Sequence, residues 1–199
     1  MSGACLIVTD VQNDFMPGGA LAVPRGDEVV PLINRLAAGF ENVVLTQDWH
    51  PRGQVSFASS HPGKKPFETI RLAYGEQVLW PDHCVQGTLG AAFHPDLSIP
   101  HAQLIVRKGY HADVDSYSVF LEADRKTTTG LAGYLRERGL QELCSSAASP
   151  PTSASSGAPS MPAPPASTPP SSRTPAVPST WRAHSQKRGA TWPPPASAE

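Results

Sequence analysis

The composition of the chain changes abruptly at Leu143, and this change limits what the chain can fold into. Residues 1–143 alternate apolar runs with turn-forming residues and carry nearly all the acidic groups. Residues 144–199 hold 13 of the 22 prolines and a single carboxylate side chain, Glu199. A segment with so few large apolar residues cannot offset an ordering entropy of about 1–2 kcal/mol per residue. The sequence therefore predicts a folded part over 1–143 and a disordered tail over 144–199.

Charge and cysteine content argue against several classes of function. The formal net charge is −1, so no strong field attracts nucleic acid or an anionic membrane. No apolar run approaches the roughly 20 residues that span a bilayer, and the N-terminus lacks the basic region of a signal peptide. Three scattered cysteines do not make a disulfide framework. We expect a cytoplasmic protein that binds neither nucleic acid nor membranes.

Apolar runs that alternate with amphipathic segments predict an α/β fold with a mostly parallel sheet. The strands are short and β-branched, and the helices carry apolar residues at helical spacing. The predicted elements are residues 5–9 (strand), 27–40 (helix), 42–46 (strand), 104–106 (strand) and 129–138 (helix). Gly139 is expected to end the last helix. Residues 50–78 are expected to be mostly loop, and the sheet is expected to be truncated after its third strand. Three strands would leave an open edge and uncovered apolar faces, so a poorly stable N-terminal part is expected.

Charged side chains directly follow the predicted strands. Asp10 follows the first strand, Asp48 and His50 follow the second, and Lys108 follows the third. Ligands of parallel sheets bind beyond the carboxyl ends of the strands, where such residues meet. Extended backbone sends residues i and i+2 to the same side, so Asp48 and His50 can converge on one cation. His83 could be a third ligand, which would leave positions open for water or substrate.

Each of these residues, taken alone, has a simpler interpretation. An Asp-x-His pair is more often a surface turn, Asp10 could cap the next helix, and Lys108 could be a solvated charge. Phe15 and Trp80 are more often packing residues than the walls of a ring-binding site. Only the order and spacing of several segments together can separate these alternatives.

The candidate site residues lie in four segments whose order and spacing can be compared with known families: VTDVQNDF at 8–15, TQDWHP at 46–51, WPDHCVQGT at 80–88 and KG at 108–109. In order and spacing they resemble the nicotinamidases, which are metal-dependent amidases of the isochorismatase-like hydrolase superfamily. GAAFHPDL at 90–97 and DSYS at 115–118 extend the resemblance, which covers residues 4–143. It implies an isochorismatase-like three-layer sandwich. The implied activity is hydrolysis of nicotinamide to nicotinate and ammonia in NAD salvage, with pyrazinamide as a further substrate.

The resemblance also implies roles for the site residues. Asp10 and Lys108 would be the base and the cation of an Asp–Lys–Cys triad, in which a nearby positive charge favours the thiolate. A divalent metal would be held by three residues: Asp48, His50 and His83. Zinc is the first choice, with Mn²⁺ or Fe²⁺ as alternatives, and a metal-free relative of the isochorismatase or carbamoyl-amidase type is disfavoured by these three residues. The substrate ring would be flanked by two further residues, Phe15 and Trp80.

The nucleophilic cysteine of the family is missing from its expected place. In the family it lies in a segment like LVCGLATDFCV, on the strand after the second predicted helix. This chain has CSSAASPPTSAS there, at residues 144–155. Cys144 stands well before the nucleophile's place, and Cys84 belongs to the segment that carries His83. The chain as given could therefore be an inactive metal-binding remnant.

A shifted reading frame would explain the missing segment. If each true codon takes the last base of one observed codon and the first two bases of the next, residues 144–155 permit LVCGLATDFCV at every position. Residues 171–177 likewise permit VIEDACR. We hypothesise that residues from about 144 onward are translated out of frame. The competing interpretation is a Pro-rich interaction protein, since residues 159–162 and 175–178 each form a PxxP sequence.

Resequencing the gene across codons 140–150 tests the frameshift hypothesis. We expect a one-base difference that restores the family segment after Leu143. An unchanged sequence with no displaced open frame beyond this point would contradict the hypothesis.

Overall fold

A computed structural model of the protein describes residues 3–147, and most of the predicted tail lies outside these residues. Six strands and two α-helices are present among them. In chain order they are β1 (Ala4–Thr9), α1 (Val29–Ala37), β2 (Asn42–Asp48), β3 (Thr69–Leu72), β4 (Gly75–Val78), β5 (Leu104–Lys108), α2 (Leu131–Glu137) and β6 (Glu142–Ala147). Three short 3₁₀ turns lie at Asn13–Phe15, Gly26–Glu28 and Ala58–Ser60.

The centre of the fold is a parallel sheet with the strand order β5-β2-β1-β6. All three neighbouring pairs are parallel, and Thr9 of β1 lies beside both Thr46 of β2 and Ala147 of β6. β1 and β2 are buried along almost their whole length, as expected for central strands covered on both faces. The prediction of an α/β fold with a mostly parallel sheet is confirmed.

The two faces of the sheet are covered by different helices. Side chains of a strand alternate between its faces, so Leu6 and Val8 share a core with Val30 and Ile33 of α1. Cys5 and Ile7, which point the other way, belong to a core that contains Leu131 and Leu135 of α2. The predicted three-layer sandwich is therefore present, and the carboxyl ends of β1, β2 and β5 meet at one edge.

Both helices are shorter than predicted. The first predicted residues of α1 instead form the 3₁₀ turn Gly26–Glu28, which follows Arg25 in the left-handed region at φ 59°. α2 ends before Gly139, whose φ of 66° suits the left-handed residue that commonly follows a helix. Neither helix within residues 3–147 has the length and apolar character to cross a bilayer.

The parallel sheet has one strand more than predicted. β6 crosses the predicted boundary at Leu143 and pairs with β1 along Ala4–Thr9, so the expectation of truncation after the third strand is corrected. Parallel pairing needs only main-chain groups, and small serine and alanine side chains do not prevent it. Leu143 and Cys144 also pack, partly buried, against the cores on opposite faces of the sheet.

The predicted loop over 50–78 contains an antiparallel hairpin. Strands β3 and β4 pair from Thr69 with Val78 to Leu72 with Gly75, and they form a separate two-stranded sheet. Ile70 and Leu72 of β3 alternate with the polar Thr69 and Arg71, but each strand has only four residues and most of the side chains are exposed or half-buried, so the pattern is too short to predict a strand. The hairpin brings Gln77, which is fully buried, towards the edge of the main sheet where β5 ends.

Truncating a β1 side chain tests the buried position of this strand. Leu6 is fully buried, so Leu6→Ala should lower the free energy of unfolding by about 2–5 kcal/mol. Leu89→Ala is the control, because this leucine is 85% exposed and should change stability little. Urea unfolding of the full chain gives both values. Equal effects of the two substitutions would contradict the placement of β1.

Candidate active site

A cavity at the carboxyl edge of the sheet brings together all seven residues singled out in the sequence. Asp10 directly follows β1, Asp48 ends β2 and Lys108 ends β5, and all three are buried. His50, His83, Phe15 and Trp80 reach the same cavity from loops. The cavity is lined by Thr9, Asp10, Phe15, Leu21, Asp48, His50, Trp80, His83, Lys108, Asp115, Ser116, Tyr117, Ser118 and Val119.

The ammonium of Lys108 lies between two carboxylates. Its Nζ is 2.9 Å from Oδ2 of Asp10 and also contacts Oδ1 of Asp48. Burial disfavours the charged amine, but Asp10 and Asp48 more than offset this, and the net effect raises the pKa of Lys108. Lys108 is therefore a fixed positive charge in the cavity.

The two carboxylates differ in their electrostatic environment. Burial raises the pKa of Asp10 above its usual value, even though Lys108 and the Thr46 hydroxyl favour its ionised form. That hydroxyl donates a hydrogen bond of 2.6 Å to Oδ1 of Asp10. Burial also opposes ionisation of Asp48, but Lys108, His50 and His83 outweigh it and lower the pKa of Asp48. The cavity thus combines a carboxylate that remains ionised with one that binds a proton more readily.

Asp48, His50 and His83 present one ligand atom each within 4.8 Å of one another, and all three are buried. Nδ1 of His50 is 2.9 Å from the carbonyl oxygen of Gly109, and Nδ1 of His83 is 2.8 Å from that of Pro81. A carbonyl only accepts, so each Nδ1 carries the hydrogen and each Nε2 keeps a lone pair.

The electrostatics of the histidines also suit a metal ion. Burial, followed by the effect of His50, lowers the pKa of His83 and favours its neutral, metal-binding form. Nε2 of His50 lies 3.8 Å from Oδ2 of Asp48. Two imidazoles, each with its Nδ1 on a main-chain carbonyl, and one carboxylate are a donor set that divalent transition metals prefer, so the three residues fit a metal site.

Phe15 and Trp80 occupy different positions in the wall of the cavity. Phe15 is buried and packs edge-on against His83, with ring centroids 5.7 Å apart. Trp80 is half-buried, and its Nε1 donates a hydrogen bond of 3.0 Å to the hydroxyl of Tyr117. Both rings are therefore placed where they could contact a planar substrate.

The sequence did not reveal the polar network behind Trp80. Gln77 donates a 2.9 Å hydrogen bond to Oδ2 of Asp115 and contacts the hydroxyl of Tyr117. Burial, followed by Asp115, raises the pKa of Tyr117, which therefore remains a neutral phenol. Asp115 and Tyr117 lie in the DSYS segment, which extends the resemblance to the nicotinamidases but contains none of the residues predicted for catalysis, substrate binding or metal binding. Thr46 was missed because nothing distinguishes it from other strand residues.

No cysteine within residues 3–147 lines the cavity. Cys84 is fully buried, and burial, followed by Asp48, raises the pKa of its thiol, which disfavours a nucleophilic thiolate. Cys144 lies in β6 beside Leu6 and packs against the core shared with α1. Among residues 3–147 the cavity thus combines two carboxylates, a buried ammonium and a convergent set of Asp48, His50 and His83, without a cysteine beside them.

Comparison with known proteins places these features in a family. The isochorismatase domain family matches residues 4–145. The nicotinamidase of Acinetobacter baylyi is 61% identical over 142 residues, which are 71% of this chain and 66% of that protein. The chain thus spans about two thirds of the length of this curated relative.

Solved structures show the same relationship. The nicotinamidase and pyrazinamidase of Acinetobacter baumanii is 64% identical, with a TM-score of 0.71 over 72% of this chain and 69% of that one. The pyrazinamidase of Pyrococcus horikoshii, solved in complex with zinc, is 33% identical, with a TM-score of 0.53 over 72% of this chain and 70% of that one. By sequence and by structure, the chain belongs to the isochorismatase domain family.

Proposed function

We propose that residues 3–147 form the metal-binding and proton-accepting part of a nicotinamidase. The overall reaction would be hydrolysis of nicotinamide to nicotinate and ammonia, as in NAD salvage, with pyrazinamide as a second substrate. The observation that carries the proposal is one cavity in which Lys108 pairs with Asp10 and Asp48 while the Asp48, His50 and His83 ligand atoms converge. The relatives named nicotinamidase support the choice of amide.

A divalent metal ion is the proposed cofactor, with zinc first and Mn²⁺ or Fe²⁺ as alternatives. The zinc in the Pyrococcus horikoshii pyrazinamidase supports this order. When bound, the ion would supply a Lewis acid that binds the ring nitrogen of the substrate and orients its carboxamide. Asp48, His50 and His83 would hold it through one carboxylate oxygen and two Nε2 atoms.

Asp10 is the proposed general base. The raised pKa of this buried carboxylate brings it closer to neutrality, where a base is most effective. Lys108 would keep Asp10 in place and would add the positive charge that favours a thiolate over a thiol. Phe15 and Trp80 would contact the flat faces or edges of the ring.

The nucleophile would come from the residues that follow Leu143 in the restored reading frame, which would replace Cys144–Ala147 at the end of β6 and the tail beyond it. Ala147, at the carboxyl end of β6, lies beside Thr9, the residue before Asp10. A segment continuing from this strand end would therefore start at the edge of the cavity. Asp10 would take the thiol proton as the cysteine attacks the amide carbon, and it would pass this proton to the departing nitrogen, which leaves as ammonia. Water would then cleave the thioester to give nicotinate and the free thiol.

A cytoplasmic location is part of the proposal. Cys5, Cys84 and Cys144 are free thiols, which suits a reducing compartment. Burial raises the pKa of the Cys5 thiol to about 11, so this residue is a packing residue in the core.

Activity measurements on two versions of the chain test the proposed reaction. The frame-restored chain should release ammonia from nicotinamide, and the chain as given should release none because it lacks the nucleophile. In the restored chain, Asp10→Asn should reduce kcat by about 10²–10⁴-fold through loss of the base. Asp27→Asn, at an exposed position, is the control and should leave kcat unchanged. An inactive restored chain that still binds metal would contradict the assignment as a nicotinamidase.

Metal binding by the chain as given can be tested through Gly109. This residue has a φ of 65°, and a Cβ placed on it would lie 2.5 Å from Cε1 of His50. Gly109→Ala should therefore displace the imidazole and weaken Co²⁺ binding, measured by titration of the visible absorption bands.

A second glycine separates the contact with His50 from backbone strain. Gly63 has a φ of 77° but open space at its Cβ position, so Gly63→Ala carries a similar backbone penalty without the contact. Gly63→Ala should bind Co²⁺ as the unmodified chain does. Equal Co²⁺ affinities of the two variants would argue against His50 as a ligand.

A further inference from the structure

β1 leaves the sheet just before β2 ends. The last β1 pair is Thr9 with Thr46, and Asp10 then turns the chain away with a φ of 54°. β2 continues to Asp48, which pairs with Lys108 of β5 on its other side. Neighbouring residues of a strand direct their main-chain groups to opposite sides, so Asp48, like Thr46, points its N–H and C=O towards β1. No residue of β1 is left to pair with them.

The side chain of Gln12 fills this gap. Its Oε1 accepts a hydrogen bond of 2.8 Å from the main-chain N–H of Asp48, and its Nε2 donates one of 2.8 Å to the carbonyl oxygen of the same residue. Gln12 is fully buried. Its amide therefore takes the place of a strand residue beside Asp48 and satisfies both of its main-chain groups.

The same amide reaches the segment that follows His83. Nε2 of Gln12 also donates a hydrogen bond of 2.8 Å to the carbonyl oxygen of Ala91. Close by, the main-chain N–H of Asp14 bonds to the carbonyl of Gly90, and the Asp14 carboxylate accepts a bond from the N–H of Cys84. Gln12 thus connects the strand that carries Asp48 with the segment next to His83.

We propose that Gln12 is a positioning residue for the metal site, and this inference rests on the proposed function. Its amide fixes the main chain of Asp48 and so determines where the Asp48 carboxylate lies relative to His50 and His83. Without the amide, two buried main-chain groups of a metal ligand would lack partners, and the strand end would move to satisfy them. The effect should appear in metal affinity, as is usual for groups that orient metal ligands.

Co²⁺ titration of the full chain tests the role of Gln12. Gln12→Met keeps the volume of the side chain but removes all three hydrogen bonds, and it should weaken Co²⁺ binding about 10-fold or more and change the visible absorption bands. The control is Asn42→Leu. Asn42 is a buried amide on the same strand that donates to the carbonyl oxygen of Ala4 at the opposite end of β2.

Thermal unfolding of both variants without metal gives the accompanying loss of stability. Asn42→Leu should lose stability while its Co²⁺ affinity and spectrum stay unchanged. If Gln12→Met binds Co²⁺ as the unmodified chain does, the positioning role is wrong while the metal site stands. If the unmodified chain binds no Co²⁺, both the metal site and this inference fail.

Amide hydrogen exchange of the unmodified chain tests the inference even if Gln12→Met does not fold. The main-chain N–H of Asp48 should exchange as slowly as that of Thr46, which lies between two paired strands, because Gln12 replaces the missing strand. Rapid exchange at Asp48 beside a slowly exchanging Thr46 would overturn the proposal.

Discussion

The buried ammonium of Lys108 is the interaction on which the architecture of the site depends. Asp10 follows β1 and Asp48 ends the neighbouring strand β2, and their carboxylates would repel each other in the interior if no cation lay between them. Lys108 reaches both because β2, which carries Asp48, lies between β1 and β5 in the sheet. Removing one partner of such a buried group typically costs about 3–5 kcal/mol. Loss of any one of these three side chains would therefore leave an uncompensated buried charge, which would destabilise the fold as well as the site.

The same charges give the cavity its chemical asymmetry. Lys108 lowers the pKa of Asp48 against the effect of burial, which suits a metal ligand, whereas burial raises the pKa of Asp10, which suits a base. Each histidine uses its Nδ1–H on a main-chain carbonyl, so its Nε2 remains available. In the proposed function, one side of this sheet edge would bind the metal and the other would accept a proton, and the restored residues after Leu143 would add the thiol.

The sequence predicted the elements and side chains whose signals are local. β1, β2 and β5 are apolar runs, and Asp10, Asp48 and Lys108 stand at or just beyond their ends. Because ligands of parallel sheets bind beyond the carboxyl ends of the strands, this placement was enough to predict that the three side chains lie close together. The sequence did not predict the β3–β4 hairpin, whose strands have only four residues each, or β6, whose residues after Leu143 are cysteine, serine and alanine. The contacts of Gln12 with Asp48 and of Gln77 with Asp115 were also missed. They join residues about 36 to 38 positions apart in the sequence, so no periodic pattern of residues predicts them.

Anomalous X-ray diffraction at the zinc edge, from crystals of the full chain grown with zinc, would locate the proposed metal ion. We expect one strong zinc peak within about 2.0–2.2 Å of a carboxylate oxygen of Asp48 and of Nε2 of both His50 and His83. A zinc-saturated crystal with no peak among these three side chains, or with its main peak elsewhere, would contradict the proposed metal site.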